Sequence, residues 1–174
     1  SDYISPVKDY IGAFVCTAGL NIEKQLEIFE KDLDDYNSIL LKSLADRLAE
    51  ALTEYIHEKV RKEIWGYASD EKFENDELIK EKYHGIRPAP GYTACPDHTE
   101  KLKVFKLLNA EKIGVSLTES MAMYPNATVS GYYFSHPESK YFSVGKIQND
   151  QVEDYSERKK QTINKTNKWL SSNI

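Results

Sequence analysis

Cysteine is scarce in this sequence, and long apolar runs are missing from it. Only Cys16 and Cys95 occur in 174 residues, far apart in the chain, which argues against a disulfide-braced secreted domain and favours reduced thiols. No apolar run approaches the roughly 18 residues that a transmembrane helix requires. The first residues also lack the pattern of a secretory signal. We therefore expect a cytoplasmic protein with no membrane partner.

An excess of positive charge is lacking as well. The formal net charge is −5, and basic residues usually have acidic neighbours, as in the segment EYIHEKVRKE. Proteins that bind nucleic-acid duplexes normally present a basic face, so we expect no nucleic-acid partner. The content of 40% hydrophobic and 29% charged residues is typical of a soluble globular chain with a single domain.

The first half of the chain is predicted to contain one strand and a very long helix. The apolar segment DYIGAFVCTAG predicts a buried strand over residues 9 to 17, and a helix follows to about residue 31. The longest helix begins near residues 32 to 35 and ends at Gly66. Its apolar residues recur at four-residue steps and predict the core-facing side: Leu40, Leu44, Leu48, Leu52, Ile56, Val60 and Ile64. The opposite, polar side includes Glu50, Glu54, His57 and Arg61.

The second half is richer in strand-forming residues. An amphipathic helix is predicted in HTEKLKVFKLLN, and two more helices over residues 150 to 160 and around Trp169. Between them, short turns at YPNA and SHPES predict strands that pair as antiparallel neighbours, including an aromatic hairpin with Tyr141 and Phe142. This order of elements predicts an α+β fold with a mostly antiparallel sheet.

The segment TACPDHTE brings three chemically capable side chains together. Cys95, Asp97 and His98 are candidates for a thiol enzyme or a metal site. A zinc site usually needs a second paired cluster, and the other histidines are isolated in the sequence. The alternative is structural: Cys95 packs as a small hydrophobic residue, while Asp97 with Thr99 caps the following helix. We predict this structural role, with no metal and no catalytic residue.

The segment RPAPGY is the second candidate for chemistry. Arg87 has a fixed charge and a donor fork suited to a carboxylate. Pro88 and Pro90 hold the backbone extended, Gly91 allows close approach to it, and Tyr92 offers a ring and a hydroxyl group. The segment is suited to holding a small zwitterion. Judged from these residues alone, a stiff surface loop tied down by one salt bridge is the favoured alternative.

Several long segments, however, resemble one protein family closely. GIRPAPGYTACPDHTEK, LTESMAMYPNATVSGYYFSHPESKYFSVGKI and DQVEDY are similar to the C-terminal activation domain of cobalamin-dependent methionine synthase, and the resemblance extends over residues 9 to 155. In this family the parent enzyme transfers a methyl group from methyltetrahydrofolate through cobalamin to homocysteine. The activation domain binds S-adenosylmethionine, which supports reductive methylation of inactive cob(II)alamin. The resemblance also implies one C-shaped domain around a bent, twisted antiparallel sheet flanked by helices.

The resemblance also implies a set of ligand-binding residues. Arg87 would pair with the carboxylate of S-adenosylmethionine, beside Gly91, Tyr92 and the backbone of Ala89. The other implied positions are Tyr141, Phe142, Glu81 and Glu50. Phe142 stands where the family often has a second tyrosine, so only its backbone or ring is implied as a contact.

The family also has an acidic ligand residue in an N-terminal segment that precedes the residues present here. We therefore expect residues 1–174 to form an N-terminally incomplete activation domain that is not catalytically complete by itself. The implied partners are the cobalamin-binding domain of the same enzyme and a flavodoxin or flavoprotein reductase as electron donor. A domain that only docks to its neighbours, having lost the ligand through truncation, is the alternative.

Overall fold

Helices surround two small antiparallel sheets in the computed structural model, which describes Ser5 and residues 7 to 174. The strands of this described part are β1 (Gly12–Thr17), β2 (Ser116–Leu117), β3 (Met123–Tyr124) and β4 (Thr128–Tyr133). Its α-helices are α1 (Glu23–Lys31), α2 (Asp35–Lys59), α3 (Asn75–Ile79), α4 (Lys101–Leu108), α5 (Asn149–Lys159) and α6 (Ile163–Trp169). Short π and 3-10 turns extend α2 over Val60–Ile64, precede α4 at His98–Glu100 and follow it at Ala110–Ile113. The predicted α+β class with antiparallel pairing is confirmed.

The central sheet joins β1 to β4, which are distant in sequence. Their antiparallel register runs from Gly12 opposite Tyr133 to Thr17 opposite Thr128. Phe14 lies on one side of β1 in a cluster with Val60, whereas Val15 on the other side packs against the cluster formed by α4. Both faces of β1 are therefore covered. This explains why the strand is a continuous apolar run, and it confirms the predicted buried strand, which begins at Gly12.

Helix α2 buries a different face from the one that its leucines predict. The buried residues of α2 are Ser38, Ala45, Ala49, Thr53 and His57. By contrast Leu44 and Leu48 are 52% and 62% exposed, and Leu40, Leu52 and Ile64 are exposed as well. The prediction that the leucine row faces the core is wrong for these residues, although Val60 and Ile56 do reach the core. Small side chains on the buried face let α2 lie close to Ala127 and Val129.

The aromatic hairpin is also absent. Strand β4 pairs with β1, β3 pairs with β2, and residues 135 to 148 contain no strand. The segment that carries Tyr141 and Phe142 is held by single contacts, among them the Val144 amide donating to the Thr93 carbonyl oxygen at 3.0 Å. Both edges of β4 are occupied by other segments, one by β1 and the other, near its end, by Ile86 and Pro88.

Candidate functional site

The segment RPAPGY lies beside β4 as an irregular extension of the central sheet. Ile86 exchanges two backbone hydrogen bonds with Phe134, at 2.9 and 3.0 Å, and the Tyr132 amide donates to the Pro88 carbonyl oxygen at 3.0 Å. At Gly131 an added Cβ would come within 2.7 Å of that same oxygen. Glycine at position 131 thus allows the loop to approach β4 and places Arg87 next to the sheet.

A tight turn at Gly91 closes the loop. Gly91 has a φ of +97°, and a Cβ at this position would lie 2.2 Å from the ring of His98. The Gly91 amide donates to the Cys95 carbonyl oxygen at 2.7 Å. Only glycine suits both the backbone angle and the close ring contact. His98 therefore acts as a packing partner that shapes the loop.

A cavity of about 370 Å³ lies between this loop, α2 and the central sheet. Helix α2 contributes Glu50 and Thr53 to its wall, and the strands contribute Phe14 and Val129. The remaining lining residues come from the loop and from the segment after β4: Arg87, Pro88, Ala89, Tyr92, Thr93, Ala94 and Tyr141. The volume falls within the range of small-molecule sites. One wall is apolar, and the rim combines a cation, a carboxylate and two phenols.

The structure brings five of the eight predicted site residues to this cavity: Glu50, Arg87, Ala89, Tyr92 and Tyr141. Gly91 is absent from the lining and acts through the turn described above. Glu81 is exposed in a left-handed conformation with a φ of 50° after α3, and Phe142 is 46% exposed; neither lines the cavity. The roles of all eight residues in ligand binding stay predictions.

Arg87 is anchored at several points. Its Nη2 donates to Glu54 Oε2 at 2.6 Å, and its Nη1 donates to the Tyr83 hydroxyl oxygen at 2.7 Å. Nη1 also lies 3.1 Å from His57 Nδ1, and the backbone amide of Arg87 donates to the Tyr141 hydroxyl oxygen at 2.9 Å. Burial alone would lower the pKa of Arg87, but the oxygens of Tyr83 and Glu54 raise it above its ordinary value. The guanidinium therefore remains charged.

His57 is the buried centre of the polar network under the site. Its side chain is fully buried, and its ring stacks on that of Tyr133 with centroids 5.1 Å apart. Burial, followed by the charges of Arg61 and Arg87, lowers the pKa of His57 from 6.5 to about 2. The ring is therefore neutral, so its Nδ1 can accept a hydrogen bond from Arg87.

The thiol or metal alternative is not favoured by the surroundings of Cys95. Burial, with the nearby charges of Glu100 and Asp97, raises the pKa of Cys95 to about 11, so the thiol is not an activated nucleophile. Asp97 accepts hydrogen bonds from the Thr99 amide at 2.7 Å and from Tyr155 at 2.8 Å, and it forms an ion pair with Lys159. The predicted role of Asp97 as a helix cap is confirmed. Among the described residues, no three His, Cys, Asp or Glu side chains form a metal-binding group.

A larger cavity, of about 470 Å³, lies on the other side of the loop and shares Pro88 and Ala94 with the first. Its cationic side chains are already paired inside the chain: Lys159 with Asp97 and Glu100, Lys103 with Glu100, and Arg158 with Asp154. The smaller cavity combines a charged donor with an apolar wall and is the stronger candidate for a ligand site.

Three residues of the site escaped the sequence analysis in this role: Glu54, His57 and Tyr83. Glu54 and His57 were assigned to the solvent side of α2, and Tyr83 was not distinguished from other aromatic residues. A signal was present, because Glu50, Glu54 and His57 follow one another at three- and four-residue steps and so share a helix face. The role of that helix face is visible only in the structure, which places Arg87 against Glu54 and His57.

The chain is similar to known proteins over nearly all of its length. Residues 1–160 match the family described as "Vitamin B12 dependent methionine synthase, activation domain". The chain is also similar to a solved structure, the MetH reactivation domain bound to AdoHcy, with 57% sequence identity and a TM-score of 0.93. That similarity covers 95% of this chain and 51% of the solved chain, so the present chain spans about half of that relative's length. Within the described residues, no helix has the length and apolarity to cross a membrane.

Proposed function

The chain belongs to the family of activation domains of vitamin B12-dependent methionine synthase, and from this premise we propose that it binds S-adenosylmethionine and supports reactivation of cobalamin in its parent enzyme. The resemblance seen in the sequence motifs is confirmed by the match to this family. The parent enzyme would be a methyltransferase of methionine biosynthesis that uses homocysteine and methyltetrahydrofolate. The chain would serve as its activation module.

The observation that carries this proposal is a charged, anchored Arg87 at the wall of a cavity of suitable size. S-adenosylmethionine is a zwitterion with a carboxylate, an ammonium group, a sulfonium and an apolar base. Arg87 suits the carboxylate, because an arginine forms strong charge-assisted hydrogen bonds to such groups. Glu50 supplies a negative charge in the same cavity for the cationic part, and Phe14 with Val129 offers an apolar wall for the base.

Cobalamin would be held mainly by a neighbouring domain. A cavity of about 370 Å³ is too small to enclose a corrin ring with its nucleotide tail, so this chain would present its own ligand to a cofactor bound next to it. Cobalamin supplies the metal-centred methyl carrier of the parent reaction. We also propose a flavodoxin or flavoprotein reductase as the electron donor and the cytoplasm as the location.

Calorimetry with S-adenosylhomocysteine and S-adenosylmethionine tests this proposal. Replacing Arg87 with alanine removes the donor for the carboxylate, and we expect affinity to fall by about 10- to 100-fold, the usual cost of a hydrogen bond to a charged group. Arg158→Ala is the matched control, because Arg158 is an exposed arginine paired with Asp154 outside the cavity. Thermal unfolding of each variant checks that the fold is retained.

Two outcomes would contradict the proposal in different ways. Equal binding by wild type and Arg87→Ala would remove Arg87 from the ligand site. No binding by wild type would favour the alternative of a docking-only domain. Binding that is weakened by Arg87→Ala and unaffected by Arg158→Ala would support the assignment.

A further inference from the structure

The guanidinium group of Arg87 is hydrogen-bonded to side chains from two separate segments. Glu54 and His57 come from α2, and Tyr83 comes from the segment that follows α3. Glu54 Oε2 accepts from Nη2 at 2.6 Å, while the Tyr83 hydroxyl oxygen accepts from Nη1 at 2.7 Å. Their contacts with one guanidinium fix both its position and the plane of its fork. A long, flexible side chain is thus held in one orientation before any ligand arrives.

These contacts leave two N–H donors of the Arg87 guanidinium group available. A guanidinium group has five N–H donors. Three of them are directed at Tyr83, His57 and Glu54. The Nε donor and one donor on Nη2 have no hydrogen-bond partner within the described residues. These two donors suffice for paired hydrogen bonds to a carboxylate.

His57 can accept a hydrogen bond from Arg87 only when its ring is neutral. With its hydrogen on Nε2, the ring offers the lone pair of Nδ1 to Arg87 Nη1 at 3.1 Å. Tyr133 stacks on the His57 ring, and Tyr83 meets it edge-on with centroids 5.0 Å apart, so the acceptor is fixed in direction. Nε2 is buried without a hydrogen-bond partner among the described residues. The contact of Nδ1 with Arg87 is therefore the hydrogen bond that the ring makes within the described residues.

None of the three residues lines the cavity, so none of them is placed to touch a ligand there. Among the described residues, Glu54 is the only carboxylate that pairs with Arg87, and its second oxygen, Oε1, is buried there without a hydrogen-bond partner. The carboxylate of Glu54 is thereby committed to Arg87. Its negative charge both holds the guanidinium and offsets the cost of keeping a cation partly buried.

We infer that Glu54, with Tyr83 and His57, is a positioning residue that orients Arg87 to receive the carboxylate of an amino-acid-bearing ligand. The inference rests on the proposed function, in which Arg87 contacts that carboxylate. Preorganisation of this kind raises affinity because the ligand need not immobilise a rotamer-rich side chain. The effect should appear only for ligands that carry the carboxylate.

Two ligands that differ in this group test the inference. S-adenosylhomocysteine carries the carboxylate, whereas 5′-methylthioadenosine keeps the nucleoside and the thioether but lacks the amino-acid end. For Glu54→Gln we expect affinity for the first ligand to fall about tenfold, as for loss of a hydrogen bond to a charged group. Affinity for the second should stay within about twofold, because it never used Arg87. A purely structural role for Glu54 would weaken both ligands alike.

Glu58→Gln is the matched control, because Glu58 lies one turn further along α2 and pairs with Lys62 away from the cavity. Tyr83→Phe is the second test variant; it removes only the hydroxyl group and leaves the ring that covers Arg61 at 4.0 Å. It should show the same selectivity between the two ligands with a smaller loss. If Glu54→Gln fails to fold, Tyr83→Phe decides the question.

The outcomes separate this inference from the proposed function. Failure of wild type to bind either ligand overturns the proposed function and the inference with it. Equal binding of S-adenosylhomocysteine by wild type and Arg87→Ala overturns the role of Arg87. Selective loss in Arg87→Ala, together with no loss or an unselective loss in the folded Glu54 or Tyr83 variants, overturns the inference alone.

Discussion

Helix α2 has one row of leucines and one row of small and polar residues, and it buries the second row. Leu44 and Leu48 are more than half exposed, whereas Ala49 is 1% exposed and His57 and Arg61 are fully buried. Both rows repeat every four residues, so they form neighbouring ridges of the same helix. Hydrophobicity alone therefore does not decide which ridge contacts the core.

Two properties of the small and polar ridge explain its burial. Its alanines let the helix approach the strand region around Ala127 and Val129 closely. Its polar members find strong partners inside the chain: Arg61 with Glu71, and His57 with Arg87. Buried polar groups are tolerated when they are paired. The helix thus buries the residues that build the candidate site and leaves much of its leucine row on the surface of this chain.

The largest expected effect on stability comes from breaking the buried ion pair between Arg61 and Glu71. Arg61 Nε and Nη2 donate to both oxygens of Glu71 at 2.7 to 3.1 Å, and the side chains are 0% and 5% exposed. Arg61→Met should lower the free energy of unfolding by about 3–5 kcal/mol, because Glu71 would be left as a buried charge without a partner. Urea denaturation measures the loss.

Lys59→Met is the control for the buried pair. It breaks the more exposed Lys59–Glu63 pair near the same end of the helix and should cost far less than Arg61→Met, because solvent screens an exposed pair. Similar losses in the two variants would show that burial does not set the strength of the polar contacts on α2.

A tighter comparison makes the same substitution on the buried row and at an exposed position of α2 that lies on neither row. Ala49→Leu adds three carbon atoms to a side chain that is 1% exposed and packs near Ala127, so we expect a loss of about 1–3 kcal/mol from overpacking. Ala51→Leu makes the same change at an exposed position of α2 and should alter stability by less than about 0.5 kcal/mol. Chemical denaturation of both variants gives the difference, and equal costs would contradict the assignment of the buried face.

The smallest expected effect is a pH dependence that originates at His57. Burial and two nearby arginines lower its folded-state pKa to about 2, below the ordinary value of 6.5. The unfolded chain therefore takes up a proton that the folded chain does not, and stability is lost as the pH falls below 6.5. Between pH 6.5 and 5.5 this single group should remove about 1 kcal/mol from the free energy of unfolding.

His57→Gln isolates this contribution. The variant should be less stable at neutral pH but flatter by about 1 kcal/mol over the same pH interval, measured by urea denaturation at both values. His84→Gln, at an exposed histidine, should retain the pH dependence of wild type. A variant at position 57 with the full pH dependence would show that other groups cause it.

Features that depend on neighbouring residues were predictable from the sequence. Strand β1 was recognisable because both of its faces are covered, which leaves a continuous apolar run. Asp97 was recognisable as a cap because its carboxylate reaches the Thr99 amide two residues away. The loop at Arg87 was recognisable because proline and glycine restrict the backbone locally.

Features that depend on distant partners were not predictable in the same way. The prediction of an aromatic hairpin was wrong because two distant segments, β1 and residues 86 to 88, occupy the two edges of β4. The leucine row of α2 was assigned to the core because periodicity locates an apolar face without showing what covers it. Glu54 and Tyr83 were missed because their importance comes from a shared contact with Arg87 across the fold.

The sequence by itself determined the α+β class, the family, the cap at Asp97 and the loop that carries Arg87. Each of these depends on steric restriction, hydrogen bonding or a motif within a short stretch of neighbouring residues. Only the tertiary structure decided which ridge of α2 is buried and which side chains hold Arg87 in place. Burial depends on the shape and charge of the surface that a helix meets, and here that surface is built by strands and a loop from other parts of the chain.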